Sequence, residues 1–268
     1  LDIKDQKLID SIMGALSIVG VAYDEVTDEC PYGVGPARTL EYVLDLCEEL
    51  GIRTVNLDGK IAWAEIGEGD EIVGILGHLD VVPIGEGWTH NPAGEIVGDE
   101  IYGRGVIDDK GPVIAAIYAM KEIQDSGMKL GRRIRLILGQ CEEAGDWVDI
   151  NYYVETQQLP VFGFTPDANF PAIYGEKWII HYELTAPLDE AIVSIEGGTA
   201  ANVIPSKCKA VLADGEEVTA EGKSGHASMP ETGVNAISLL MEKLYDKGVR
   251  TKLTDFFKEH VGTDIHGE

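Results

Sequence analysis

In the stretch Ile72-Val73-Gly74-Ile75-Leu76-Gly77-His78-Leu79-Asp80, a nearly continuous apolar run ends in a histidine and, two residues on, an aspartate. Such a run is the pattern of a central strand covered on both faces, and it delivers His78 at its end. Downstream, Ile134–Leu138 reads as a strand delivering Glu142 and Glu143, and Val161–Phe164 as one delivering Asp167. Asp108, in IDDKG, is likewise expected just after a short apolar run. Asp109–Asp125 follows as a helix that buries Val113, Ile114, Ile117, Met120 and Lys121, with Gly111-Pro112 marking its first turn. Upstream, Gly35-Pro36 opens a helix with Leu40, Val43, Leu44, Cys47 and Leu50 at helical spacing, stopped by Gly51. Short strands are expected around Val55 and over Ala62–Ile66, and GEIVGDEIYGRG, residues 94–105, as a hairpin turning at Gly98-Asp99. Strand and helix alternating in this way predict an α/β fold, a mostly parallel or mixed sheet flanked by helices.

Near residues 176–182 the pattern changes. The runs HYELTAP, AIVSIEGG, CKAVLADG and EEVTAEG are short strands with few helices between them, and a helix from about Asn235 to Lys247 closes the series. That is α+β character, so the expected division is a domain over residues 1–180 and a second, smaller one over 181–268. A chain of 268 residues has the length for either one large domain or two such units.

The balance of 21 basic against 47 acidic side chains gives a formal charge of -26, which opposes binding to nucleic acid or an anionic membrane by like-charge repulsion. Cys30, Cys47, Cys141 and Cys208 are scattered and form no C-x-x-C pair, so neither a zinc ribbon nor a disulfide framework is indicated. No apolar stretch has the length of a membrane span, and LDIKDQKLID is too charged for a signal-peptide core. A cytoplasmic protein is the expectation.

Singly, the polar groups have ordinary explanations. A histidine after a strand is commonly a hydrogen-bonded structural residue, Glu142-Glu143 suits a solvated surface, and Asp108-Asp109 suits the cap of the next helix. Together they point to metal chemistry, because open α/β sheets gather ligands outside the carboxyl ends of their strands. One imidazole with several carboxylates suits a divalent ion such as zinc or manganese. Lys110 is expected to be solvated or to serve the helix start.

The runs GHLDVVPIGEGW, YGRGVIDDKGP, GQCEEAG and GFTPDANFP followed by GEK, with GGTAANVIP and GKSGHASMPETGVNA further on, resemble the M20 family of di-zinc peptidases, most closely its PepV-like dipeptidase branch. The resemblance implies a zinc-peptidase-like catalytic domain and an α+β lid, represented here in part. It also implies two Zn2+ ions per subunit, with Mn2+ or Co2+ as alternatives. His78, Asp108, Glu143 and Asp167 would be metal ligands, Asp108 bridging both ions and joined to Asp109 by a cis peptide. Asp80 would orient His78 through its second ring nitrogen, and Glu142 would be the general base for a metal-activated water. In the lid, His226 would stabilise the oxyanion, and Asn202 would contact substrate. The implied substrate is a dipeptide with a free N-terminus, and the assembly a monomer or homodimer. An N-acyl-amino-acid deacylase, such as a succinyl-diaminopimelate desuccinylase, is the alternative chemistry; a catalytically inactive binding protein on the same fold is the alternative of another class.

The chain departs from that pattern near its end. The family's last histidine ligand has no counterpart here, since His260 and His266 in FKEHVGTDIHGE lie in lid-like sequence. The stretch from Val211 to Val218 is also short for this branch. The expectation is therefore a truncated or incompletely represented protein whose last ligand lies beyond residue 268, and a fragment that is inactive by itself.

Overall fold

A computed structural model of the chain describes residues 3–85, 87–168, 171, 173, 175, 183–185 and 187–264. It divides into two units, Leu1–Ile173 and Tyr174–Glu268. Glu176, Lys177, His266 and the start of the HYELTAP run lie outside the described residues.

The first unit contains α1 (Ile3–Leu16), α2 (Val34–Glu49), β1 (Arg53–Leu57), β2 (Ile61–Ile66), β3 (Ile72–His78), the hairpin of β4 (Glu95–Val97) and β5 (Glu100–Tyr102), α3 (Lys110–Asp125), β6 (Arg133–Gly139), α4 (Val148–Thr156) and β7 (Phe162–Phe164). Five of the strands form one sheet in the order β1-β2-β6-β3-β7. β3 runs parallel to both of its neighbours, whereas β2 is antiparallel to β1 and β6. The sheet is therefore mixed, and β3 lies inside it, as its continuous apolar run predicts.

Alternation along the strands separates two packed faces. Ala62, Ala64 and Ile66 of β2 and Leu136 and Leu138 of β6 join Leu40, Val43 and Cys47 of α2 and Val113, Ile114 and Ile117 of α3. The intervening Ile61, Trp63 and Ile137 pack instead with Tyr153 of α4. Lys121 departs from expectation: it is only partly buried and pairs with Asp125 one helical turn on. Gly51 does end α2, with φ of 72° and its amide bonded to the Glu48 carbonyl.

Two local features bring the polar residues together. A Cβ on Gly77 would lie 2.4 Å from Val113 Cγ2 and 2.8 Å from Asp109 Oδ2, so only glycine lets the start of α3 come this close to the end of β3. Asp108 is accordingly not delivered by a strand end. β5 stops at Tyr102, and Asp108 lies in the turn before Asp109, the N-cap of α3, with its Oδ1 2.9 Å from His78 Nε2 at the end of β3.

The second unit holds β8 (Ile192–Gly197), β9 (Lys207–Leu212) and β10 (Glu217–Glu221) in an antiparallel sheet ordered β10-β9-β8. α5 (Ala236–Asp246) lays Ala236, Leu240 and Leu244 against Cys208, Ala210, Val218 and Ala220. Asn235 caps it, Oδ1 accepting from the amides of Ile237 and Ser238 at 2.9 and 3.4 Å. A further helix, α6 (Lys252–Phe256), continues into a π-helical turn over Phe257–Val261.

Candidate metal centre

His78 ends β3 with its side chain 3 % exposed, and both ring nitrogens are engaged. Nδ1 lies 3.1 Å from the Asp80 carbonyl and 3.2 Å from Asp80 Oδ1. Both are acceptors, so Nδ1 carries the hydrogen and Nε2 is left to face the cluster. On that side, Asp108 Oδ1 is at 2.9 Å, Asp167 Oδ2 at 3.6 Å and Glu142 Oε2 at 3.9 Å. The Asp108–Asp109 peptide is cis.

Asp80 is fully buried and serves three groups. Besides meeting the His78 ring, its two oxygens accept from the amides of Glu142 at 3.1 Å and Glu143 at 3.0 Å. The 3-10 turn Glu142–Ala144 is thereby tied to the exit of β3. Asp109 occupies the N-cap position of α3 but forms no side-chain cap; its Oδ2 accepts from the His78 amide at 3.2 Å, and Oδ1 is buried without a hydrogen-bond partner.

Burial works against a charge on His78, but the carboxylates of Asp108, Asp167 and Asp80 outweigh it and hold the imidazole well above its usual range. The His78 ring in turn holds Asp108 below the ordinary carboxylate range. Burial raises Glu142, and burial with the nearby Asp108 pushes Glu143 up to about 7; Asp109 is also pushed up to about 7 by burial.

Two overlapping triads could each hold a divalent ion: His78, Glu142 and Asp167, and His78, Asp108 and Glu143, each with its ligand atoms within 4.8 Å of one another. The set fits the group that the sequence implies. An imidazole nitrogen with carboxylate oxygens is a borderline-hard donor set, and the acids that raise the proton affinity of His78 form surroundings that favour a cation. Glu142 falls within one triad although the sequence reading keeps it apart from the ligands.

Lys110 is not solvated. It begins α3 and is 1 % exposed, its Nζ donating to the carbonyls of Ala15 at 3.2 Å and Ile18 at 2.5 Å. This ties the end of α1 to the turn that bears Asp108, and burial lowers the amine to about 8. The second unit brings its own pair together. Val203 and His226 form a β-bridge, and the Asn202 carbonyl accepts from the Ala227 amide at 2.8 Å, so exposed Asn202 and His226 stand on adjoining segments. His226 Nδ1 accepts from the Ser228 amide at 3.2 Å and lies 2.7 Å from Ser228 Oγ.

Residues 74–256 match the model of Peptidase family M20/M25/M40. The chain is 38% identical over 267 residues to "Putative dipeptidase YtjP" of Bacillus subtilis (strain 168), covering 86% of this chain and 57% of that protein. It is 36% identical over 275 residues to "Putative dipeptidase SH1171" of Staphylococcus haemolyticus (strain JCSC1435), covering 88% of this chain and 58% of the relative. Among solved structures, human carnosine dipeptidase 1 is similar with a TM-score of 0.50 and 26% identity, over 57% of this chain and 36% of that one. The chain thus spans less than two thirds of the length of these relatives.

Proposed function

This chain belongs to peptidase family M20/M25/M40, and from that membership we propose that the protein is a metal-dependent dipeptidase, hydrolysing dipeptides with a free N-terminus. The single observation that carries the reading is the convergence of His78, Asp108, Glu142, Glu143 and Asp167 at one end of the sheet. The dipeptidase names of its relatives support the substrate class.

His78, Asp108, Glu143 and Asp167 would hold two zinc ions, which when bound polarise the scissile carbonyl and acidify the attacking water. Asp80 keeps a His78 hydrogen on Nδ1, so that Nε2, once its proton is displaced, would present its lone pair to a metal. Glu142 takes a proton from the water and passes it to the leaving amine. Its backbone is fixed to Asp80, and its carboxylate lies 3.9 Å from His78 Nε2, beside the groups that would hold the metal. Its raised proton affinity favours the first of the two transfers.

Residues 1–180 would form the catalytic domain and 181–268 part of a lid. In the lid, the amide of Ser228 occupies His226 Nδ1, which places the ring hydrogen on Nε2 and makes that atom a donor for the developing oxyanion, with Asn202 contacting the substrate. The four cysteines are free, which supports a cytoplasmic setting. The test is a panel of Ala-Xaa and Xaa-His dipeptides set against N-acetyl and N-succinyl amino acids, assayed with the intact protein. Turnover of dipeptides is expected; turnover of acylated amino acids alone would replace this reading by a deacylase.

A further inference from the structure

Asp149 lies outside the ligand cluster, in the first turn of α4, and is 1 % exposed. Its Oδ2 accepts from the amides of Gln140 at 2.6 Å and Cys141 at 3.3 Å, and Oδ1 from the amide of Ile150 at 2.7 Å. The next two amides, of Glu142 and Glu143, end on the buried Asp80. Four consecutive amides, residues 140–143, are thus captured by two buried carboxylates, one from the exit of β3 and one from α4. This is where the chain leaves β6 and turns into the short helix bearing the glutamate pair, so neither a strand ladder nor a helix supplies all of these donors with partners.

The arrangement is costly unless it is specific. A carboxylate is tolerated in a buried position only when hydrogen bonds satisfy it, and bonds from backbone amides to an ionised oxygen are short and directional. The space for it is also provided: a Cβ on Gly139 would stand 3.0 Å from Asp149 Oδ2. Since Asp149 fixes residues 140 and 141, it sets where the following two amides point, and they meet Asp80 beside His78.

We propose that Asp149 is a positioning residue for Glu142 and Glu143, acting through the backbone of residues 140–143 rather than by touching substrate or metal. The inference rests on the reading of that glutamate pair as base and ligand. Asp149→Asn in the intact protein keeps the shape of the side chain and removes its charge, while Gly139→Ala crowds the carboxylate without removing it. Ile117→Val, in the core of α3, serves as a control for general loss of stability.

The readouts are amide hydrogen exchange over residues 140–143, the visible spectrum of the cobalt-loaded protein, and kcat against KM. Both clamp variants are expected to speed exchange by about tenfold or more at all four amides. They should also alter the cobalt spectrum and lower kcat by about 10- to 100-fold with little change in KM; Ile117→Val should do none of these. Faster exchange confined to residues 140 and 141 with an unchanged cobalt spectrum would overturn the proposal, as would equal effects from the control. If Asp149→Asn does not fold, Gly139→Ala carries the same readouts. A protein that hydrolyses no dipeptide would refute the proposed activity, yet the exchange and cobalt measurements would still decide the role of Asp149.

Discussion

His78 is bonded through both ring nitrogens, and the two sides do different work. The Asp80 side fixes the tautomer, while the other side gathers three carboxylates around one proton. A metal ion must displace that proton, and Glu143, pushed up to about 7, must give up its own wherever it is still protonated. Zinc binding at pH 6 is therefore expected to release about one to two protons, measured by titration calorimetry in two buffers of different ionisation enthalpy; no release would contradict the assignment. Asp80, Glu142, Glu143 and Asp167 are legible in the sequence because they follow the apolar strands β3, β6 and β7, whereas Asp108 reaches the centre from the turn ahead of α3 and not from a strand end. Lys110 and Asp149 are not legible. Their burial is set by carbonyls of α1 and amides at the exit of β6, partners distant or unremarkable in sequence, and a lysine or aspartate in a first helical turn looks like ordinary surface.

Elements position the centre through close approach. The contact of α3 with β3 depends on the missing side chain at Gly77, so Gly77→Ala is expected to cost about 1–3 kcal/mol of stability. It should weaken zinc binding as well, because Asp109 and Asp108 would be pushed from the end of β3. Denaturant unfolding and a metal titration on one variant check both effects, and wild-type zinc affinity would show that the approach is not needed. In the second unit, Asn235→Ala removes the cap of α5 and should cost about 1 kcal/mol, read from the melting of that unit, without altering metal content. α5 was legible from its apolar spacing and Asn235. α6 was not, since five residues are too few for periodicity; the only local sign was Thr251 and Thr254, whose hydroxyls form the capping box.

At the scale of the whole molecule, acidity and metal occupancy govern stability together. Glu143 and Asp109 have folded-state affinities for protons near pH 7, above their ordinary values of 4.5 and 3.8. Their contribution is thus fully present below about pH 4 and is lost as pH rises through about 7. The metal-free protein is expected to melt at lower temperature at pH 7.5 than at pH 5, with added zinc restoring more stability at the higher pH; a metal-free melting point that rises across this window would contradict the crowding of acids seen here. Among the described residues no helix is long and apolar enough to cross a membrane. The alternating strands and helices of the first unit and the α+β character of the second follow from apolar patterning, whereas strand pairing and the assignment of chemistry depend on where distant segments meet. The account is tested most directly by kcat of Glu142→Gln in the intact, zinc-loaded protein. Metal content near that of the wild type with a loss of about 10²- to 10⁴-fold in kcat is predicted, and hydrolysis at the wild-type rate would contradict it.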